Sequence, residues 1–445
     1  MKNLDLGKEN ISKLFVQYAI PSVIGLLVVS LYSIVDGIFI GRIVGPDGLA
    51  AVNICMPFIS FTSSIGVMIA VGGVTLTTIK MGEGSIHEAS KKFSFTLLLL
   101  AISSIIITIF SLIFLEELTI FLGANQSIFH YVKDYLGSIL IFSIFFMGGY
   151  ALDLFLRSDG KPNLSMLFIL IGTLLNICLD YLFIVKWNLS VKGAAYATGI
   201  SELVSFTLLF CYFLSTKSKL KLVKPHFDKS SFLKILYNGS SEFLSEISMG
   251  LVTFVYNLIM MKYFGPIGVS AVAIIMYIST IVYMVIYGIA QGISPIISYN
   301  YGAKKYIRIF KILKLAISTS FVIGILSFIL MFFNIDSIVS IFIKGNIEVS
   351  KIASYGGKFF SITFLLCGFN IISSTYFTAI GNAKASAIIS LSRTIIFQLI
   401  TVVVFTYIFG SKGMWISQPF ADLLTLILSF VFIRQSKRLL INANN

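Results

Sequence analysis

Gly45-Pro46-Asp47-Gly48-Leu49-Ala50-Ala51-Val52 returns 220 positions later as Gly265-Pro266-Ile267-Gly268-Val269-Ser270-Ala271-Val272. The same register pairs Ala70 and Gly72 with Ala290 and Gly292, Gly82 with Gly302, and Lys192-Gly193 with Lys412-Gly413. A register held over so much chain is an internal duplication, and a duplication has to be read before any local motif. Glycine and proline at the head of each copy turn the chain between two long apolar runs. Their first reading is therefore as helix-closing residues.

Those runs set the solvent. Of 445 residues, 57% are hydrophobic and 12% charged, with a mean hydropathy of +0.96, about half the charge a water-facing surface carries. Twelve stretches reach the roughly 20 residues a helix needs to cross hydrocarbon: 14-40, 50-80, 92-115, 130-156, 163-185, 192-215, 236-262, 269-299, 311-334, 353-377, 385-409 and 413-434. Strand-like alternation is missing, which disfavours a barrel, and helices satisfy their own backbone in lipid. The fold class expected is an all-α polytopic membrane protein with twelve transmembrane helices in two pseudo-symmetric six-helix bundles. Residues 1-215 form the first bundle, 216-235 a Lys/Ser-rich cytoplasmic connector and 236-445 the second. Six spans per repeat return the chain to its starting side, so the axis relating the halves runs along the membrane normal.

Charge follows topology. Most of the 33 basic residues fall on one side if the N-terminus is inside, among them Lys2, the Lys217–Lys234 group and Lys304–Lys314; Lys344 and a few others fall opposite. Both termini are then cytoplasmic in a multi-pass protein of the cell's inner (cytoplasmic) membrane. The net charge of +14 answers to anionic membrane lipid, not to nucleic acid, since no basic stripe interleaved with aromatics occurs. The first apolar run is too long for a signal peptide. Cys55, Cys178, Cys211 and Cys367 are far apart in apolar segments and read as small buried hydrophobes. His87, His130 and His226 sit at or near loops without a metal or triad signature. No phosphate loop is present, so neither an enzyme nor a nucleotide-driven motor is expected.

Charges inside spans carry the functional signal, because lipid makes them costly. Asp36 can exchange a proton or help hold sodium; the alternative is a carboxylate bonded to neighbouring helices. Tyr32, one turn earlier, shares its face. Asn176 and Asp180 repeat that four-residue spacing and suit a cation, a substrate amine or interhelical bonding. Glu242 and Glu246 also share a face, so at least one is a proton or cation candidate. Glu202 and Asp422 occupy matching repeat positions and read as paired structural anchors. Asp153 and Arg157 read as a local ion pair. Arg393 either snorkels to the interface or governs a cavity.

In this order, Pro21, the Asp36 helix end followed by Gly41 and Gly45, the Leu49–Val52 run and its counterpart ending at Val272 resemble the multidrug and toxic compound extrusion (MATE) family over both six-helix halves. The resemblance implies a V-shaped pair of bundles around a central cavity, and secondary active export of amphipathic, often cationic compounds against inward proton or sodium movement. It implies coupling roles for Asp36, Glu246 and Asp180, with Na⁺ at Asp36 or Glu246 as one possibility. Asn370 stands where some sodium-coupled relatives have aspartate, so H⁺ is favoured over Na⁺. Tyr32, Asn176, Asp180, Glu242, Asn370 and Arg393 are the expected substrate-cavity residues. No cofactor is implied, and a monomer is expected to suffice. A lipid or lipid-linked oligosaccharide flippase of related fold, and a non-transporting sensor or scaffold, are the alternatives.

Overall fold

A computed structural model describes residues 4–225, 227–343 and 347–442; Lys2, His226 and Lys344 lie outside the described residues. The first half comprises α1 (Ile11–Phe39), α2 (Pro46–Gly82), α3 (Ile86–Ile113), the short α4 (Leu115–Phe121), α5 (Phe129–Leu140), α6 (Ser143–Ser158), α7 (Pro162–Asp180) and α8 (Ser190–Leu214). The second comprises α9 (Lys229–Gly302), α10 (Tyr306–Phe342), α11 (Ile347–Phe360), α12 (Thr363–Ala379), α13 (Ala383–Leu391), α14 (Phe397–Phe409) and α15 (Ser411–Asn442). No strand occurs among the described residues. By length and apolarity nine helices among the described residues can cross a membrane, or eleven when α5 with α6 (bent by 48°) and α11 with α12 (bent by 53°) each count as one broken span.

The 74 residues of α9 would extend roughly 110 Å as one rod, several times the thickness of a hydrocarbon core at about 30 Å. They do not form one. Gly265 leaves the helical region at φ 60° and ψ −150°, a backbone that L side chains rarely adopt. Immediately beyond it, a β-carbon on Gly268 would stand 2.8 Å from the Met260 carbonyl oxygen, whereas residues eight apart in a straight helix are about 12 Å apart. The chain therefore doubles back, giving two arms, 229–264 and 266–302. Gly45, at φ 98°, makes the matching turn before Pro46 opens α2.

Helices α1 and α2 pack against α9 and join the halves. At one end the contact is reciprocal: a β-carbon on Gly82 would come within 2.0 Å of the Tyr299 carbonyl oxygen, and one on Gly302 within 2.0 Å of the Ile79 carbonyl oxygen. Gly82 and Gly302, like Ile79 and Tyr299, are repeat partners, so the two helix ends approach each other as a two-fold pair. The N-terminal segment closes over the same end. Leu4 donates its N–H to Gly160 at 3.3 Å, and Asn300 and Arg308 donate to the Leu6 carbonyl at 2.9 and 3.2 Å.

The connector departs from its expected limits. Asp228 accepts from the backbone N–H groups of Ser230 and Ser231, so this cap starts α9 at Lys229, inside the 216-235 stretch. The preceding residues are docked, not merely solvated. Lys219 donates its N–H to Asp159 at 3.1 Å, Lys221 to Ser90 at 3.1 Å and Val223 to Ser94 at 2.9 Å, and Leu220 is buried. Burial holds the Asp159 carboxyl above its ordinary range. Cys55 and Cys367 are buried as expected, but Cys178 and Cys211 are exposed on the outer faces of α7 and α8.

Candidate functional site

Three helices widen into π turns: Ile40–Val44 after α1, Tyr181–Lys186 after α7 and Ser392–Ile396 between α13 and α14. Each adjoins a charge. Asp36 lies in the last turn of α1, Asp180 is the last residue of α7, and Arg393 is within the third π turn. Such turns break the regular hydrogen-bond ladder and are frequent at functional sites.

Helices α1, α7 and α8 bring Asp36, Asn176, Asp180 and Thr198 together. Asp180 is wholly buried, and among the described residues neither of its carboxylate oxygens has a hydrogen-bond partner. One oxygen of Asp36 and the side-chain oxygen of Asn176 are likewise buried and unpartnered, while the Asn176 amide donates to Thr198 at 3.2 Å. The helices that carry the two carboxylates, α1 and α7, pack against each other. Unsatisfied buried acceptors are expensive, and together they form a place that a proton or small cation would stabilise. Tyr32 does not bond to Asp36; it lines the adjoining cavity instead.

That cavity, about 290 Å³, is walled by α1, α2, α6, α7 and α8, with Tyr32, Phe146, Tyr150, Asn176 and Glu202 on its lining. Asp153 and Arg157 form the expected ion pair at 2.6 Å. Arg157 does more than that pairing required: it also donates to Ser22 at 3.0 Å, to Ser165 at 3.1 Å, and to Gln291 of the second half at 3.3 Å. Tyr150, Arg157 and Gln291 are shared with a smaller cavity of about 70 Å³ lined by Glu242 and Tyr287.

The remaining candidates are distributed differently. Glu242 accepts from Thr378 at 3.5 Å. Glu246 is exposed and lines neither cavity; no interaction joins it to Asp36 among the described residues. Arg393 does not snorkel to an interface, because it donates to the Tyr287 hydroxyl at 2.9 Å. Asn370, expected in the substrate cavity, is wholly buried in helix packing, where it donates to the Asp422 backbone oxygen at 2.9 Å. Asp422 in turn accepts from Thr363 and Gln418, each at 3.2 Å, and from Asn370 at 3.4 Å. Asp422 is an anchor. Glu202, its repeat partner, is not: it has no hydrogen bond or ion pair among the described residues and lines the larger cavity. Thr198 and Glu202 are one helical turn apart on α8, as Asn176 and Asp180 are on α7, and that doubled spacing was the available sequence signal. No cluster of three or more metal-ligating side chains occurs among the described residues.

The MatE family model matches residues 21–182 and again 243–404, well over half of the chain. The chain is similar to the multidrug export protein MepA of Staphylococcus saprophyticus, 25% identical over 433 residues covering 96% of this chain and 94% of the relative. MepA of Staphylococcus aureus is 25% identical over 431 residues, again covering 96% and 94%. Among solved structures, a MATE protein crystallised in complex with MaL6 superposes with a TM-score of 0.94 at 23% identity, over 99% of this chain and 100% of that one. An outward-facing multidrug resistance MATE family transporter of the MOP superfamily superposes with 0.93 at 23% identity, over 99% of each. Likeness at that identity speaks for the fold.

Proposed function

This chain belongs to the MatE family of transporters, and from that premise we propose that it is a secondary active multidrug exporter exchanging amphipathic organic cations for a coupling ion, protons in preference to sodium. Membership in a family of transporters sets it apart from enzymes. The observation that carries the proposal is the set of buried, unpartnered carboxylate oxygens of Asp36 and Asp180 on packed helices beside a cavity with aromatic walls. The curated relatives are named as multidrug export proteins, which supports the same reading.

Export requires two access states with different affinities for ion and substrate, because a ligand that binds both equally shifts neither. Protonation of Asp36 and Asp180 discharges both carboxylates, and it supplies donors to a cluster whose Asp36, Asn176 and Asp180 oxygens have no partner. The bound ion thereby changes the relative stability of the states. Asp36 and Asp180 hold the ion, the unpartnered Asn176 oxygen beside them offers it a further acceptor, and the neighbouring cavity takes the organic cation. Glu242 and Arg393, beside the smaller cavity, are assigned to the substrate path between the halves. Glu246 is retained as a weaker ion candidate. The basic loops support cytoplasmic termini in the cell membrane, twelve spans with α9 counted as two, and a monomer as the working unit. In that orientation the Gly82–Gly302 closure faces the cytoplasm.

Purified protein in liposomes, given ethidium and separately imposed proton and sodium gradients, tests the proposal. Faster ethidium movement under an opposing proton gradient is expected. Gradient-independent lipid translocation without ethidium movement would replace it with the flippase reading.

A further inference from the structure

The repeat supplies its own control for Glu202. Asp422, at the matching position in the second half, is wholly buried and saturated by three side-chain donors. If Glu202 served the same structural end, α6 and α8, the counterparts of α12 and α15, would offer it similar donors. They do not. Gly149 of α6 faces it without a side chain, so that a β-carbon there would sit in ordinary contact, 3.7 Å from a Glu202 oxygen. The other acid on this wall, Asp153, is already neutralised by Arg157 at 2.6 Å and accepts from Ser165 as well. Glu202 is therefore the acid of this cavity that no basic side chain pairs among the described residues, and a carboxylate at a membrane-spanning position holds its charge only with a compensating partner.

A second observation is independent of charge. Asn176, 2% exposed, lines the same cavity with its side-chain oxygen unpartnered, so the wall offers a neutral acceptor as well as a carboxylate. Tyr32, Phe146 and Tyr150 contribute aromatic surface, suited to a cation's face or apolar body. The volume of about 290 Å³ is at the small end for a whole ligand pocket. It suits a charged head, with the body passing the shared Tyr150, Arg157 and Gln291 toward the smaller cavity.

We infer that Glu202 is the specificity-determining carboxylate for substrate, binding the positively charged head of an organic monocation in the first-half cavity, separately from the ion site at Asp36 and Asp180. This deepens the exporter reading and rests on it. Glu202 selects charge; the aromatic walls select shape.

The test compares N-methylacridinium, a permanent cation, with acridine, its neutral counterpart above neutral pH, by fluorescence binding to purified protein. The unmutated chain is expected to prefer the cation. Glu202→Gln should weaken N-methylacridinium binding by at least about tenfold, a modest loss for one desolvated charge contact, while acridine binding stays within a factor of about two. Glu202→Asp should recover part of the preference. If Glu202→Gln is not recovered as folded protein, Glu202→Asp decides alone: it must weaken the cation more than acridine. An unchanged cation preference in Glu202→Gln, equal losses for both ligands, or an unmutated chain without cation preference would each overturn the assignment. A chain that prefers the cation through Glu202 yet shows no gradient-driven exchange would break the exporter reading and leave this site standing.

Discussion

In the second half, Asp422 sits among Thr363, Asn370 and Gln418, each donating to it; in the first half, Glu202 faces a cavity and has no hydrogen bond or ion pair among the described residues. The contrast extends along the repeat. Tyr256 occupies the position of Asp36, and its hydroxyl pairs with Ser417 at 3.0 Å and accepts from Gln398. At these positions the second half has an acid and a hydroxyl that both find partners, and the first half has Glu202 without a partner and Asp36 with an unpartnered oxygen among the described residues. A duplicated scaffold thus holds one copy of a polar layer as structural bonding and leaves the other open to ligands. Polar groups satisfied inside the bundle contribute to stability, whereas unsatisfied ones cost stability and mark where an ion or substrate completes the set.

Asp36→Asn should break this contrast most severely. The amide keeps the size and hydrogen-bonding capacity of the side chain but cannot gain and lose a proton. Gradient-driven export should fall by more than about tenfold with substrate binding retained, and Asp36→Glu should do better than Asp36→Asn. Export by Asp36→Asn at the unmutated rate, in liposomes under a defined proton gradient, would remove Asp36 as a coupling residue.

Asp422→Leu addresses the satisfied half. It takes the acceptor from the buried Thr363 and Gln418 donors while Asn370 keeps the backbone oxygen at 422, so at about 1 kcal/mol or more each the loss should be about 2 kcal/mol in all. A lower melting temperature in detergent is the measurement, and the folded fraction should still prefer cations. Loss of cation preference with unchanged melting would invert the assignment of the two halves.

The reciprocal glycines sharpen the symmetry. Gly82→Ala and Gly302→Ala each drive a β-carbon into a carbonyl 2.0 Å away, so each should cost about 2 kcal/mol through overpacking. The two costs should be similar because the contacts are two-fold related, and a cost confined to one of them would show that the closure is one-sided.

The smallest effect belongs to the link between halves. Lys92 and Ser231 beside Asp228 hold its carboxyl down at about 2, below the ordinary 3.8. A depressed carboxylate contributes stability that is present above the ordinary value and lost as pH falls through the depressed one. Proteolysis of the connector should therefore be insensitive to pH from neutrality down to the ordinary value. Asp228→Ala should quicken it modestly, and strong pH dependence above that range in the unmutated chain would discount the Lys92 contact.

Much of the architecture was legible before any coordinates. The repeat came from glycines that now occupy the turn at Gly265 and the closure at Gly82 and Gly302, and helical spans followed from run length. The broken spans at α5 with α6 and α11 with α12 were not legible, since apolarity continues across a bend. The connector's docking was also hidden, because Ser90, Ser94 and Asp159 are distant in sequence from the backbone groups they receive.

Sequence by itself determined that this chain lies in lipid, repeats, and carries a few acids where acids are costly. These properties are local: hydropathy, spacing and residue type are readable along a single strand of text. It could not separate Glu202 from Asp422 or Asn176 from Asn370, which are equivalent in kind and in helical setting. Only tertiary structure decided those pairs, because a buried polar group becomes anchor or ligand site according to the donors that other helices bring to it. Thr363, Asn370 and Gln418 reach Asp422, and among the described residues no side chain does the same for Glu202.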